Sequence, residues 1–286
     1  MPANTNTTEV VQGALLIEVC VDSVESAIAA INGGADRLEV CANLANGGGT
    51  TPTIGLLKAI QSTVDVPLMV MIRPRTGDFY YTREELGIML EDIRILKHFG
   101  GIRGFVLGVL TREARIDVEC MKVLVDEILP LEVCFHRAFD MTRDPIEALQ
   151  DIDDIGGISR ILTSGQKSKA PEGLTTLEAL FKTRKELVED DAWGLTIMPG
   201  SGVNGATLPK LFHALMPLGL REIHLSGGRW IPSNMLFKRN GMGMNSGDKE
   251  FEWSVWRTEQ QEVQLVREIA DSLWRDYFRG QSPNQE

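Results

Sequence analysis

Eight short apolar runs, each followed by a stretch with helical patterning, alternate along the chain from Leu15 to Ser226. The runs are Leu15–Cys20, Arg37–Cys41, Pro67–Arg73, Gly104–Val109, Leu131–His136, Ser159–Thr163, Gly194–Met198 and Glu222–Ser226. Their length and β-branched content suit buried strands, and the stretches between them carry helix signals. Asp22-x-x-Glu25 resembles a capping box, and Gly33–Gly34 would stop the helix it opens. Thr82-x-x-Glu85 opens another, with Leu86, Met89, Leu90, Ile93 and Leu96 at helical spacing. Asp144–Pro145 gives a cap followed by proline at the first helical position. Eight strands alternating with helices in 286 residues predict an α/β fold, a single TIM (β/α)8 barrel. A doubly wound open sheet is the alternative, but no Gly-x-Gly-x-x-Gly follows the first strand.

The predicted boundaries are a flexible tail over 1–13, the barrel over 14–280 and a short C-terminal tail over 281–286. One segment is too long for an ordinary connection: Arg229 to Arg257, after the eighth strand. It holds Trp230, Trp253, Trp256, Met242 and Met244, and is read as a lid over the barrel mouth or a packing arm for a neighbouring subunit. The formal charge of -11 argues against nucleic acid and anionic membranes as partners. A polar start without a signal-peptide pattern, and cysteines at 20, 41, 120 and 134 without a Cys-x-x-Cys pair, predict a cytoplasmic protein with reduced thiols.

In a barrel the strand C-termini form the functional face, and the unusual residues gather there. Glu-Val-Cys occurs twice, at 18–20 and 39–41, so Glu18 shares a face with Cys20 and Glu39 with Cys41. Arg73-Pro74-Arg75 ends the third strand, and Glu132, Cys134 and His136 share a face of the fifth. Glu39, His136 and Asp140 are the candidate acid–base groups. Gly200-Ser-Gly-Val203 and Ser226-Gly-Gly228 expose backbone N–H groups that suit an anion. Arg73, Arg75, Ser164, Gly202, Ser226 and Gly227 are therefore the candidate anion-binding residues. The bland readings stand beside these: a structural ion pair such as Glu39 with Arg73, tight turns that want glycine anyway, and cysteines packed as small hydrophobes.

At these same residues the chain resembles the copper homeostasis protein CutC family. The motifs are Glu-Val-Cys-Val-Asp-Ser at 18–23, Gly-Gly-Ala-Asp-Arg-Leu-Glu-Val-Cys-Ala-Asn-Leu at 33–44 and Ile-Arg-Pro-Arg at 72–75. Phe-His-Arg-Ala-Phe-Asp at 135–140, Leu-Thr-Ser-Gly-Gln at 162–166 and Gly-Ser-Gly-Val at 200–203 continue the resemblance. It implies a cytosolic TIM barrel, homodimeric or homotetrameric, that handles copper, with Cu(I) carried by Cys20 and Cys41. Two soft thiolates suit Cu(I), and Met242 and Met244 could add thioethers. Two functions follow as expectations: a Cu(I)-binding protein, or an enzyme (lyase, isomerase or hydrolase) acting on a small phosphorylated or carboxylated metabolite.

Overall fold

The computed structural model describes residues 14–187, 194–243 and 251–280. Eight parallel strands form the centre: β1 (Leu16–Val21), β2 (Arg37–Val40), β3 (Leu68–Met71), β4 (Gly104–Leu107), β5 (Glu132–Phe135), β6 (Arg160–Thr163), β7 (Thr196–Pro199) and β8 (Glu222–Leu225). Their hydrogen-bonded order is β7-β6-β5-β4-β3-β2-β1-β8, and β7 packs beside β8 to bring the ring round on itself. This is the expected (β/α)8 barrel. The helices are α1 (Val24–Asn32), α2 (Ile54–Gln61), α3 (Arg83–Phe99), α4 (Val118–Ile128), α5 (Pro145–Ile155), α6 (Leu174–Leu187), α7 (Leu208–Leu215) and α8 (Gln260–Arg279).

Period-two alternation divides the strand residues into two cores. Ile17, Val19, Leu38, Val40, Val70, Phe105, Leu107, Val133, Phe135, Ile161, Ile197 and Ile223 face outward and pack against the helices. Each such side chain, fully buried, contributes about 1.5–3 kcal/mol. A smaller cluster of Cys41, Met69, Met71, Val106, Cys134, Leu162 and Met198 fills the barrel itself.

The lower end of the barrel is charged. Arg37 bonds Glu18 and Glu222; Arg160 bonds Glu222 at 3.0 Å and Glu132 at 2.6 Å; Arg103 bonds Glu132. Glu18 is completely buried and Arg37 only 4% exposed, so each needs the other. The structural ion pair within the barrel is thus Glu18 with Arg37; Arg73 has no carboxylate partner among the described residues.

Capping follows the sequence with one correction. Thr82 and Glu85 form the reciprocal box of α3, and Asp144 caps α5 ahead of Pro145. At α1 the cap is Ser23, whose hydroxyl accepts from the Ser26 N–H, while Asp22 accepts from the Leu44 N–H instead. The long segment after β8 begins and ends in an antiparallel ribbon, β9 (Gly228–Ile231) with β10 (Val255–Thr258). Met244 and both predicted tails lie outside the described residues. Among those residues, no helix is long and apolar enough to cross a membrane.

Candidate functional site

A cavity of about 930 Å³ opens at the C-terminal ends of the strands. Its wall includes Cys20, Glu39, Arg73, His136, Asp140, Gly202, Ser226 and Gly227 from the sequence-predicted set. Arg75, Ser164 and Cys41 are absent from it. Arg75 turns aside to bond Glu85 and Asp78. Ser164 is buried against Asp140, with its hydroxyl 2.9 Å from Oδ2. Cys41 lies under Gly49, where a side chain's Cβ would fall 3.0 Å from the sulfur; at φ +95° that position suits glycine.

Three groups meet on the floor. Register sets Glu18 opposite Arg37 on one side and His224 on the other, and Cys20 opposite Glu39. His224 Nδ1 is 2.8 Å from Glu18 Oε1 and 3.6 Å from Glu39 Oε2. Burial alone would raise the Glu18 carboxyl, but Arg37 and His224 override it and hold the pKa at about 2. Glu39, equally buried, is pushed up to about 7: burial is the main cause, helped by Glu18 and opposed by His224. Burial works against a charged His224 too, yet Cys20, Glu39 and the bond to Glu18 raise its pKa well above the usual range. The Glu39 Oε2 atom is buried without a hydrogen-bond partner.

His136 stands across the mouth. Its Nδ1 accepts from the Ala138 N–H at 3.2 Å, so the ring is the tautomer with its proton on Nε2, and that atom has no partner. Burial and then the nearby Arg73 guanidinium push its pKa down to about 3. His136 is consequently a neutral hydrogen-bond donor. It fits because β4 continues into Gly108; a Cβ there would lie 2.7 Å from Nδ1. Arg73 donates to the carbonyls of Gly47, Gly49 (3.0 Å) and Gly77 (3.0 Å), and covers the Phe79 ring at 4.9 Å. It is 5% exposed, with its charge unmatched by any described carboxylate.

Asp140 is fully engaged. It accepts from the Thr163 hydroxyl, the Ser164 N–H and hydroxyl, the Gln166 N–H and Arg137. It holds the loop after β6 and orients Arg137. The glycine loop after β7 also reaches the cavity: its Gly200 N–H bonds Thr163 and Asn204 N–H bonds Thr207, and Ser201, Gly202 and Val203 lie between.

Sequence reasoning left three contributors out of its site. His224 was visible as an inward residue of the last strand, and only barrel closure brings it beside Glu18. Trp230 and Trp256, opposite each other in the β9–β10 ribbon, form one wall, with ring centroids 5.6 Å apart and nearly perpendicular.

For metals, one three-ligand group is present among the described residues, and two cysteines are separate soft donors. One atom each from Glu18, Glu39 and His224 lies within 4.8 Å of the others, but both Glu18 oxygens are occupied by Arg37 and His224. These hard oxygen and nitrogen donors differ from the soft ligands Cu(I) prefers. Cys20 and Cys41 supply the soft set. Both are free thiols raised in pKa by burial, each near a backbone carbonyl, Leu225 and Val21 respectively. Their protons must leave before a metal binds.

A model of the CutC family matches residues 15–229. The chain belongs to the CutC family. A human relative named copper homeostasis protein cutC homolog is 40% identical over 258 residues, 90% of each chain. A family protein CutC from Salmonella typhimurium is 39% identical over 254 residues, covering 89% of this chain and 96% of that one. The crystal structure of a putative copper homeostasis protein CutC from Streptococcus agalactiae superposes with a TM-score of 0.65 at 29% identity, covering 74% of this chain and 98% of that one. The CutC match ends at Arg229, so Trp230 and Trp256 lie beyond it.

Proposed function

We propose that this CutC protein is an enzyme that moves a proton on a small anionic metabolite held in the barrel mouth. One observation carries this reading: Glu39 is a buried carboxyl whose Oε2 makes no hydrogen bond, 3.6 Å from His224, and it is pushed up to about 7. A carboxyl with an open oxygen and a pKa near neutrality suits proton transfer. Glu39 acts as base or acid, and the Glu18–His224 pair stores the compensating charge. His136 Nε2–H and Arg73 polarise the oxygen that gains charge, as preoriented donors. Isomerisation and aldol-type cleavage both need this set.

The test is incubation with a panel of small phosphorylated and carboxylated metabolites in D₂O, followed by NMR. At least one should exchange a C–H proton or convert, and Glu39→Gln should abolish this. A panel untouched by the wild-type protein would sink the reading.

A second function, copper handling through Cys20 and Cys41, is supported by the names of the relatives and by two buried free thiols, one in β1 and one just past β2. Anaerobic Cu(I) titration against a strong chelator tests it. One tight equivalent lost in Cys20→Ser/Cys41→Ser would support a thiol site, and unchanged weak binding would remove it.

A further inference from the structure

Eight buried side-chain nitrogen or oxygen atoms lack a hydrogen-bond partner among the described residues. Four of them, Glu39 Oε2, Arg73 Nε, His136 Nε2 and Trp256 Nε1, belong to residues that line the mouth cavity. An unmade buried bond costs about 1–3 kcal/mol. Such a concentration in one cavity is a site awaiting partners rather than scattered imperfection.

The chemistry of the four atoms restricts the partner. The carboxylate of Glu39 accepts; the other three only donate, because His136 Nδ1 is already an acceptor for Ala138. A single phosphate both accepts and, through its P–OH, donates, but only from one place in the cavity. An amine would serve Glu39 and leave the donors unpaired. A hydroxyl group does both, and several on one skeleton would serve atoms on different strands. The walls add a second restriction. Trp230 and Trp256 stand on the β8–β1 side of the ring, while Phe79 packs 4.8 Å from His136 on the β3–β5 side. Aromatic faces on both sides suit a ligand with C–H faces and polar edges. Arg73 supplies an unmatched cation for one anionic group.

From this we infer that the cavity takes a monosaccharide-sized sugar anion, a sugar phosphate or sugar acid, with its hydroxyls bridging Glu39 to the N–H donors and its anionic group toward Arg73. The inference rests on the anion-binding part of the proposed function and adds the polyol. Residues beyond the family match, Trp230 and Trp256, become ligand contacts.

The experiment is calorimetric titration of the full chain with D-ribose 5-phosphate, D-glucose 6-phosphate and D-glucuronate, set against inorganic phosphate and pyruvate. At least one sugar anion should bind roughly 100-fold or more tighter than phosphate and pyruvate, since a site built for several hydroxyls rejects ligands without a polyol skeleton. The phosphate and glucuronate arms separate the two kinds of anionic group. Arg73→Lys and Trp256→Phe should each weaken that binding by roughly tenfold, the cost of one lost buried hydrogen bond. Trp256→Phe keeps an aromatic ring in place, and circular dichroism confirms folding. Equal affinity for phosphate or pyruvate, no binding by any sugar anion, or binding indifferent to both substitutions would overturn the inference. A sugar anion that binds without deuterium exchange leaves this inference standing and removes the catalytic reading. Turnover of pyruvate, with no sugar anion bound, does the opposite.

Discussion

His224 Nδ1 meets Glu18 Oε1 at 2.8 Å, joining the last strand of the barrel to the first across 206 positions of sequence. With Arg37 on its other oxygen, Glu18 is held ionised at about 2, below its ordinary 4.5. The folded pKa is depressed, so the contribution to stability is full above about 4.5 and is lost as pH falls toward 2. Urea unfolding of the wild type and Glu18→Gln should therefore differ most at neutral pH and converge only as pH falls to about 2. A difference independent of pH would contradict the assignment.

Arg37→Met leaves Glu18 with His224 alone and Glu222 with Arg160 alone, each short of one positive partner. Removing one partner of a buried pair costs about 3–5 kcal/mol. The loss should appear in the denaturation midpoint, with the cost shrinking at acid pH as these carboxylates take up protons.

Glu39 is expected to behave oppositely. Its pKa is raised, so ionising it opposes folding as pH climbs from 4.5 toward 7, and the penalty is complete above that. Glu39→Gln should be more stable than wild type at pH 8, on the order of 2 kcal/mol, and nearly equal at pH 5. Thermal melts at the two pH values decide it. The same variant should have no proton-transfer activity, a trade of stability for function.

His136 should remain neutral through the physiological range. Its imidazole ¹⁵N shifts should report the Nε2–H tautomer unchanged from pH 8 to pH 5, given a pKa near 3. A titration near 6.5 would remove it as a fixed neutral donor.

Asp140→Asn keeps the size of a side chain that accepts from four residues and removes its charge. Stability should fall on the order of 2 kcal/mol. Catalytic pH dependence should stay unchanged, because Asp140 positions Arg137 and the loop after β6. A shifted pH profile would return Asp140 to the acid–base group.

The barrel was legible because period-two alternation and cap signals are local. Val19 and Val40 had to face outward once Glu18, Cys20 and Glu39 faced inward. The site was legible only where a residue's position fixes its direction. Glu39 and His136 follow strand parity. Arg75, an anion-binding candidate with Arg73, stands outside the cavity because β3 ends at Met71 and parity lapses there; Pro74 intervenes, and Arg75 is drawn to Glu85. Cys41 has the right parity, but the Gly47–Gly49 turn covers it, and no pattern announces which turn folds back. The Trp230–Trp256 wall depends on pairing across a long segment whose turn signals, Asn240-Gly241 among them, do not say which residues they bring together.

The belt of Arg103, Glu132, Arg160, Glu222, Arg37 and Glu18 has a kinetic consequence. Among the described residues it stops the far end of the barrel with groups bonded to one another, leaving the mouth as the way in. For the proposed enzyme, substrate, product and exchanging protons would all use that opening, past the tryptophans. A second molecule cannot enter behind a departing one, so product should inhibit strictly in competition with substrate, and turnover should slow as solvent viscosity rises when release is the slow step.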